Sequence, residues 1–284
     1  MTITSEMVRD LRERTGAGLM ECKRALEASQ GNFEGAVDHL RKQGLKTADK
    51  KAERETGEGR LQAWVGPKMR VGSLVALTCE TDFVARTSDF GKLLYDIAEL
   101  VAEKNPSNPE ALAALTLPSG TAVGETIKLM VGKIGENIRV PKLVRLENMK
   151  GRIGSYVHHD GKKAAIVSVT TDADEDQVGE ALKELCQHIV AAHPVPIAAR
   201  RDQVPADVVD RERSIYLELD ELKSKPPEIR EKIVAGKLEK FLAEQVLPEQ
   251  KWMKDDSKTV QKVVEEKLGK GSRIEAFARF QIGK

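Results

Sequence analysis

Slid along itself, the chain matches Gly59-Arg60-Leu61-Gln62-Ala63-Trp64-Val65 to Gly151-Arg152-Ile153-Gly154-Ser155-Tyr156-Val157 without a gap. The match runs on: Leu74-Val75 falls on Ile166-Val167, Leu77-Thr78 on Val169-Thr170, and Asp82 on Asp174. Phe90, Leu93, Leu94 and Ile97 then fall on Leu182, Leu185, Cys186 and Ile189, at helical spacing. Two copies of one unit explain this, so whatever one copy folds into constrains the other. Each copy reads as strand, turn, strand, helix. In the second the turn is spelled Asp160-Gly161, a strong hairpin signal between alternating apolar residues, whereas the first uses Gly66-Pro67. The helix of each copy lays its apolar stripe on one face of a small antiparallel sheet, which makes the fold class α+β. Cys186, standing where the other copy has Leu94, reads as structural.

The repeat also acts as an internal control on single residues. In LTCETDFVARTSDF, residues 77–90, a strand pattern breaks at Thr81-Asp82-Phe83-Val84 before a helical pattern begins. Opposite Phe83 stands Glu175, within the polar run Asp172-Ala173-Asp174-Glu175-Asp176, so the unit does not require an aromatic there. Aromatic residues make up only 4% of the chain, and each one therefore asks for a reason. Phe83 reads as a contact for another molecule, the alternative being a plug for its own core. Asp82 stays open between a cap for the following helix and a partner contact, because Asp174 is acidic as well.

Ahead of the repeat, residues 5–43 read as three short helices. Ser5 is the expected N-cap of the first, which Thr15-Gly16-Ala17-Gly18 ends. Leu19, Cys22, Ala25 and Leu26 make one buried stripe on the second, and Phe33, Val37 and Leu40 follow on the third after Gly31-Asn32. Met20, beside Leu19, is either an exposed apolar contact with Arg9 and Arg12 nearby or a core filler. The pattern of helices is similar to the ubiquitin-associated fold, a small partner-binding bundle. LKTADKKAERETGE, residues 45–58, has the composition of a linker.

Between the copies, Ile127, Met130, Val131, Ile134 and Ile138 predict another helix. After His193-Pro194-Val195-Pro196 the repeat is interrupted: Val204 to Leu222 reads as one charged helix and Pro227 to Gln245 as a second, a hairpin with a narrow apolar stripe. A capped helix, from Trp252 through Ser257-Lys258-Thr259 and Val260 to Leu268, and an alternating edge strand from Ile274 to Phe280 follow. The domains so read are a helical bundle at 1–44, a linker at 45–58, and a first core half at 59–148. A second core half follows at 149–250, with its hairpin at about 196–245, and a C-terminal module at 251–284.

Forty-six basic against 45 acidic side chains leave none of the positive surplus that non-specific nucleic-acid binding requires. MTITSEMVRDLRERTG carries no apolar signal core, and no run of about 18 apolar residues occurs, so no membrane contact and a cytoplasmic location are expected. Cys22, Cys79 and Cys186 lie far apart and form no CxxC, which fits a reducing compartment. His158 and His159 are adjacent, and along a regular strand successive side chains point to opposite faces, which argues against a shared metal. With no Walker loop, no GxGxxG after a strand, no HExxH and no GxSxG, neither an enzyme nor a cofactor is expected.

TGAGLMECKRAL at 15–26, CETDFVAR at 79–86, SYVH at 155–158 and KIVAGKLEKF at 232–241 closely resemble the elongation factor Ts family over nearly the full length. The resemblance implies a ubiquitin-associated-like domain, a core of two related halves, a helical hairpin and a C-terminal module. It also implies a nucleotide exchange factor for elongation factor Tu, the GTPase that carries aminoacyl-tRNA. In that family the loop matching Thr81, Asp82, Phe83 and Val84 enters the GTPase, its aromatic wedging between helices and disturbing the Mg²⁺ site. Arg12, Leu19 and Met20 would touch the nucleotide domain, His158 a more distant domain, and the C-terminal segment the GTPase as well. A homodimer or a two-plus-two complex with the GTPase stays open. The competing readings are an adaptor that binds a protein through the N-terminal bundle, and a metal-dependent hydrolase built on His158 and His159.

Overall fold

A computed structural model of the chain describes residues 3–283. Helices α1 (Ser5–Thr15), α2 (Leu19–Ala28) and α3 (Phe33–Lys51) form the N-terminal bundle. Thr4, not Ser5, caps α1, its hydroxyl accepting from the Met7 N–H at 3.3 Å. Val8, Leu11, Cys22, Ala25, Leu26 and Ala36 fill the bundle. Leu19 keeps the period of that stripe but is the first helical residue, beyond the packed core, and is 53% exposed. Helix α3 continues through residues 45–51, expected as linker, because Ala48 is buried there. Charged composition marks a linker only when nothing packs on the small residues between the charges.

The first copy of the repeat forms β1 (Glu58–Val65), β2 (Val71–Cys79), the single turn α4 (Asp82–Ala85) and α5 (Ser88–Lys104). Next come α6 (Pro109–Ala113), α7 (Val123–Ile134) and β3 (Ile138–Glu147), with sheet order β1-β2-β3. Ile138, expected in the helix, opens a strand instead, since Gly135 in the left-handed region ends α7. Pro141 interrupts the strand signal, and proline is tolerated there because β3 is an edge strand. Helices α3 and α7 cross at two glycines: a Cβ on Gly132 would stand 2.4 Å from the Gly44 Cα, so the backbones touch.

The second copy repeats the plan with β4 (Gly151–Val157), β5 (Lys163–Thr170) and α8 (Glu175–Ala191). Strands β4 and β5 pair antiparallel from Gly151↔Thr170 to Val157↔Ala164. Ala165, Val167 and Val169, alternate residues of β5, pack with Leu182, Leu185, Cys186 and Ile189 of α8. The inserted arm is α9 (Ala206–Leu217), α10 (Asp220–Lys223) and α11 (Pro227–Gln245). The single helix expected up to Leu222 is broken at Leu219, and Leu222 and Val234 are buried. Ala198 bridges Val246 at the root of the arm, so the insertion leaves and returns at one place.

Beyond the arm, residues 252–259, expected within the last helical segment, instead form a small hairpin, β6 (Lys251–Trp252) with β7 (Asp255–Thr259), and the helix α12 (Val260–Leu268) starts only where Thr259 caps it, before β8 (Arg273–Gln281). Strand β8 pairs antiparallel with β5, giving the order β4-β5-β8. It takes the edge place in this sheet that β3 takes in the other, so the repeat extends to a third strand. Val260, Val263, Val264, Leu268 and Ile274 share one apolar core with α8. By compactness the chain divides into Met1–Gln62 with Val75–Leu143 and Ile282–Lys284, and Ala63–Leu74 with Val144–Gln281. Among the described residues no helix is long and apolar enough to cross a membrane.

Candidate functional site

Strand β2 ends at buried Cys79, whose thiol donates to the Thr81 carbonyl at 3.1 Å. Burial pushes this thiol up to about 12, so it remains the protonated donor that the bond needs. Thr81 occupies the N-cap position of α4 but makes no cap bond. Both of its donors go to Glu136 instead, the N–H at 2.9 Å and the hydroxyl at 2.7 Å. On the far side Thr87 donates its hydroxyl to the Val84 carbonyl at 2.8 Å and caps α5 by accepting from the Phe90 N–H. One helical turn is thus pinned at both ends.

Within that turn Val84 and Ala85 are buried and Phe83 is 80% exposed. Val84, expected at the contact surface, is 7% exposed and holds the turn to the core, its side chain rotated by about 100° around the helical turn from that of Phe83. Asp82 is the first helical residue rather than the cap, and its carboxylate pairs with Arg86 at 2.8 Å, both groups exposed. Its counterpart Asp174 does hold the N-cap position of α8, although its side chain makes no cap bond.

A second exposed apolar group lies in the same compact unit. Gly16, at φ 68°, ends α1 by donating its N–H to the Arg12 carbonyl at 2.7 Å, and Arg12 itself is exposed. After this turn Leu19 and Met20 project from the start of α2, Met20 60% exposed. Met20 therefore fills no core. Lys133 of α7 links this region to α5: its side chain lies against Gly16 and its ammonium pairs with Asp89, in the first turn of α5, at 3.0 Å. Cys22 is buried, and burial raises its thiol.

His158 belongs to the other unit, at the turn between β4 and β5. Its Nδ1 is 2.9 Å from the Tyr156 hydroxyl and its ring centroid 4.2 Å from that of His159. The alternation expected to part the two histidines does not apply, because β4 ends at Val157. Among the described residues no group of three or more His, Cys, Asp or Glu side chains is placed to hold a metal. His188 is buried, with Nε2 3.1 Å from Gln250 Oε1, Nδ1 accepting from the Met253 N–H, and its ring stacked on Trp252. Burial lowers its basicity. The supports Glu136 and Glu80 escape sequence reasoning, since nothing local distinguishes a carboxylate that grips a segment over 50 residues away.

The arrangement leaves two apolar groups exposed in one compact unit, Phe83 on a pinned helical turn and Leu19 with Met20 at the start of α2. The sequence model of the family described as Elongation factor TS matches residues 80–284. A protein from Thioalkalivibrio sulfidiphilus described as elongation factor Ts is 38% identical over 283 residues, spanning 100% of this chain and 93% of the relative. Its counterpart from Symbiobacterium thermophilum is 41% identical over 288 residues, spanning 99% and 92%. One from Chloroherpeton thalassium is 39% identical over 287 residues, spanning 99% and 98%.

Proposed function

The chain belongs to the elongation factor Ts family, and on that premise we propose that it is a guanine nucleotide exchange factor for elongation factor Tu in translation elongation. It binds the GDP-loaded GTPase in the cytoplasm, disturbs the Mg²⁺ and nucleotide site and promotes GDP release, so that GTP can enter. It performs no bond chemistry of its own. The observation that carries this reading is Phe83, 80% exposed on a pinned helical turn. A large aromatic left in water is unfavourable for the free protein and becomes favourable once a partner's apolar interior covers it.

Within the loop the tasks divide. Phe83 enters the partner, Asp82 stands beside it with Arg86, and Thr81 and Val84 hold the turn to the core. Leu19 and Met20, with Arg12 nearby, form the second contact on the nucleotide domain, and His158 reaches a further part of the GTPase. Fully burying one phenylalanine is worth about 1.5 to 3 kcal/mol, roughly 10- to 150-fold in an equilibrium. Phe83 alone therefore supplies part of the acceleration, and the remaining contacts hold it in place.

Release of fluorescent GDP from elongation factor Tu, followed by stopped flow with and without this protein, tests the reading. The protein accelerates release, and Phe83→Ala removes at least about tenfold of that acceleration. An adaptor would bind the GTPase and leave the release rate unchanged. A Phe83→Ala variant as fast as the parent would sink the wedge.

A further inference from the structure

Phe83 points into solvent because of residues far from it in the chain. Helix α7 ends at Gly135, at φ 85°, whose N–H closes on the Val131 carbonyl at 2.8 Å. Glycine adopts that conformation without a Cβ penalty, so the chain turns sharply there. Glu136 then takes both donors of Thr81, at 2.9 and 2.7 Å. Asn137 donates its N–H to Glu80 Oε1 at 2.7 Å and its side-chain amide to the carbonyls of Ala52 and Arg54 at 3.1 and 2.7 Å. Lys51, the last residue of α3, donates to the Gly135 carbonyl. One three-residue corner thus grips the end of the N-terminal bundle and the root of the Phe83 turn.

A carboxylate that receives two donors from one residue fixes that residue in rotation as well as position, and charge makes both bonds stronger than neutral ones. Thr81 makes no side-chain cap bond to α4 and its carbonyl accepts from the Cys79 thiol, while Glu136 takes both of its donors. We infer that Glu136 is a positioning residue for nucleotide exchange: by holding the N–H and hydroxyl of Thr81 it sets the direction in which Phe83 leaves the protein and enters the GTPase. The inference rests on the exchange-factor reading above. Glu136 acts through Thr81, and its loss leaves Phe83 present but misdirected. Misplacing a working group by about 1 Å lowers a rate by up to about 100-fold.

The test compares Glu136→Gln, Thr81→Val, Thr81→Ser, the Glu136→Gln/Thr81→Val double variant and Phe83→Ala in the full chain. Stopped-flow release of fluorescent GDP from elongation factor Tu is followed over a range of factor concentrations. Glu136→Gln, which keeps the shape but turns one acceptor oxygen into a donor, lowers the maximal stimulated rate by about tenfold and shifts the half-saturating concentration by less than about threefold. Thr81→Val behaves alike, Thr81→Ser restores the rate, and the double variant is no slower than Glu136→Gln alone, as expected for two ends of one interaction. Hydrogen exchange at the Thr81 amide quickens in Glu136→Gln. If that variant fails to unfold cooperatively, Thr81→Ser against Thr81→Val decides. A parental rate in Glu136→Gln beside a slow Phe83→Ala, or additive losses in the double variant, overturns the inference and leaves the exchange reading intact. A parental rate in Phe83→Ala sinks the wedge and the inference with it, whereas no acceleration by the parent protein overturns the exchange reading itself.

Discussion

One peptide bond separates Phe83, 80% exposed, from Val84, at 7%. Truncating each should therefore have unequal effects on stability. Val84→Ala removes buried methyl groups and lowers stability by roughly 1 to 3 kcal/mol, readable as a lower Tm. Phe83→Ala stays within about 0.5 kcal/mol of the parent in the same unfolding measurement, because little of its surface is withdrawn from water on folding. The exposure of Phe83 was legible, because the second copy builds the same corner with Glu175. The burial of Val84 was not, since a motif read as one surface loop says nothing of which way a single helical turn faces. His188 makes a residue-scale prediction in pH. It is buried and hydrogen-bonded through both nitrogens, and burial holds its folded-state pKa below the ordinary value. The unfolded chain then binds the proton more readily, so stability is full above about pH 6.5 and falls as pH drops through that value. Denaturant midpoints between pH 7.5 and 5.5 should fall with acid, and His188→Gln should flatten that slope.

Helix α7 shows how an element acquires a task that its own sequence does not spell. Its apolar period was legible and its length nearly so, but the approach of Gly132 to Gly44 was not. A glycine inside a helical pattern ordinarily weakens the helix by about 1 kcal/mol relative to alanine. At position 132 the missing Cβ is what lets α3 and α7 touch. Gly132→Ala should lower Tm despite the better helix propensity, since a Cβ 2.4 Å from the Gly44 Cα forces the helices apart at a cost of about 1 to 3 kcal/mol. Gly236 in α11, with nothing within 4 Å of an added Cβ, is the control: Gly236→Ala should raise stability by up to about 1 kcal/mol. Strand β3 escaped reading for a related reason. Pro141 removes a donor that a central strand needs, and only the sheet order β1-β2-β3 shows that β3 is at an edge.

At the scale of the whole molecule, two copies of strand, strand, helix and closing strand carry a bundle before the first copy and an arm inside the second. An exchange factor built this way obeys linkage: whatever factor it removes from the GTPase's affinity for GDP, GDP must remove from the GTPase's affinity for it. Titrations of each ligand in the presence and absence of the other should give the same ratio, and unequal ratios would mean that some third ligand is bound in one of the titrations.

Sequence alone determined the repeat, the α+β class, the end of the first helix near Gly16, and Phe83 as an aromatic that the second copy does not repeat. These are local properties: period, turn chemistry and a residue-by-residue comparison of two copies require no knowledge of distant contacts. Tertiary structure decided that residues 45–51 are helix, that β8 closes the second sheet, and that Leu19 and Met20 face outward while Val84 faces in. It also decided that Glu136 holds Thr81. Each of those depends on which distant segment arrives to cover or grip a residue, and burial and hydrogen-bond partners exist only once that segment has arrived.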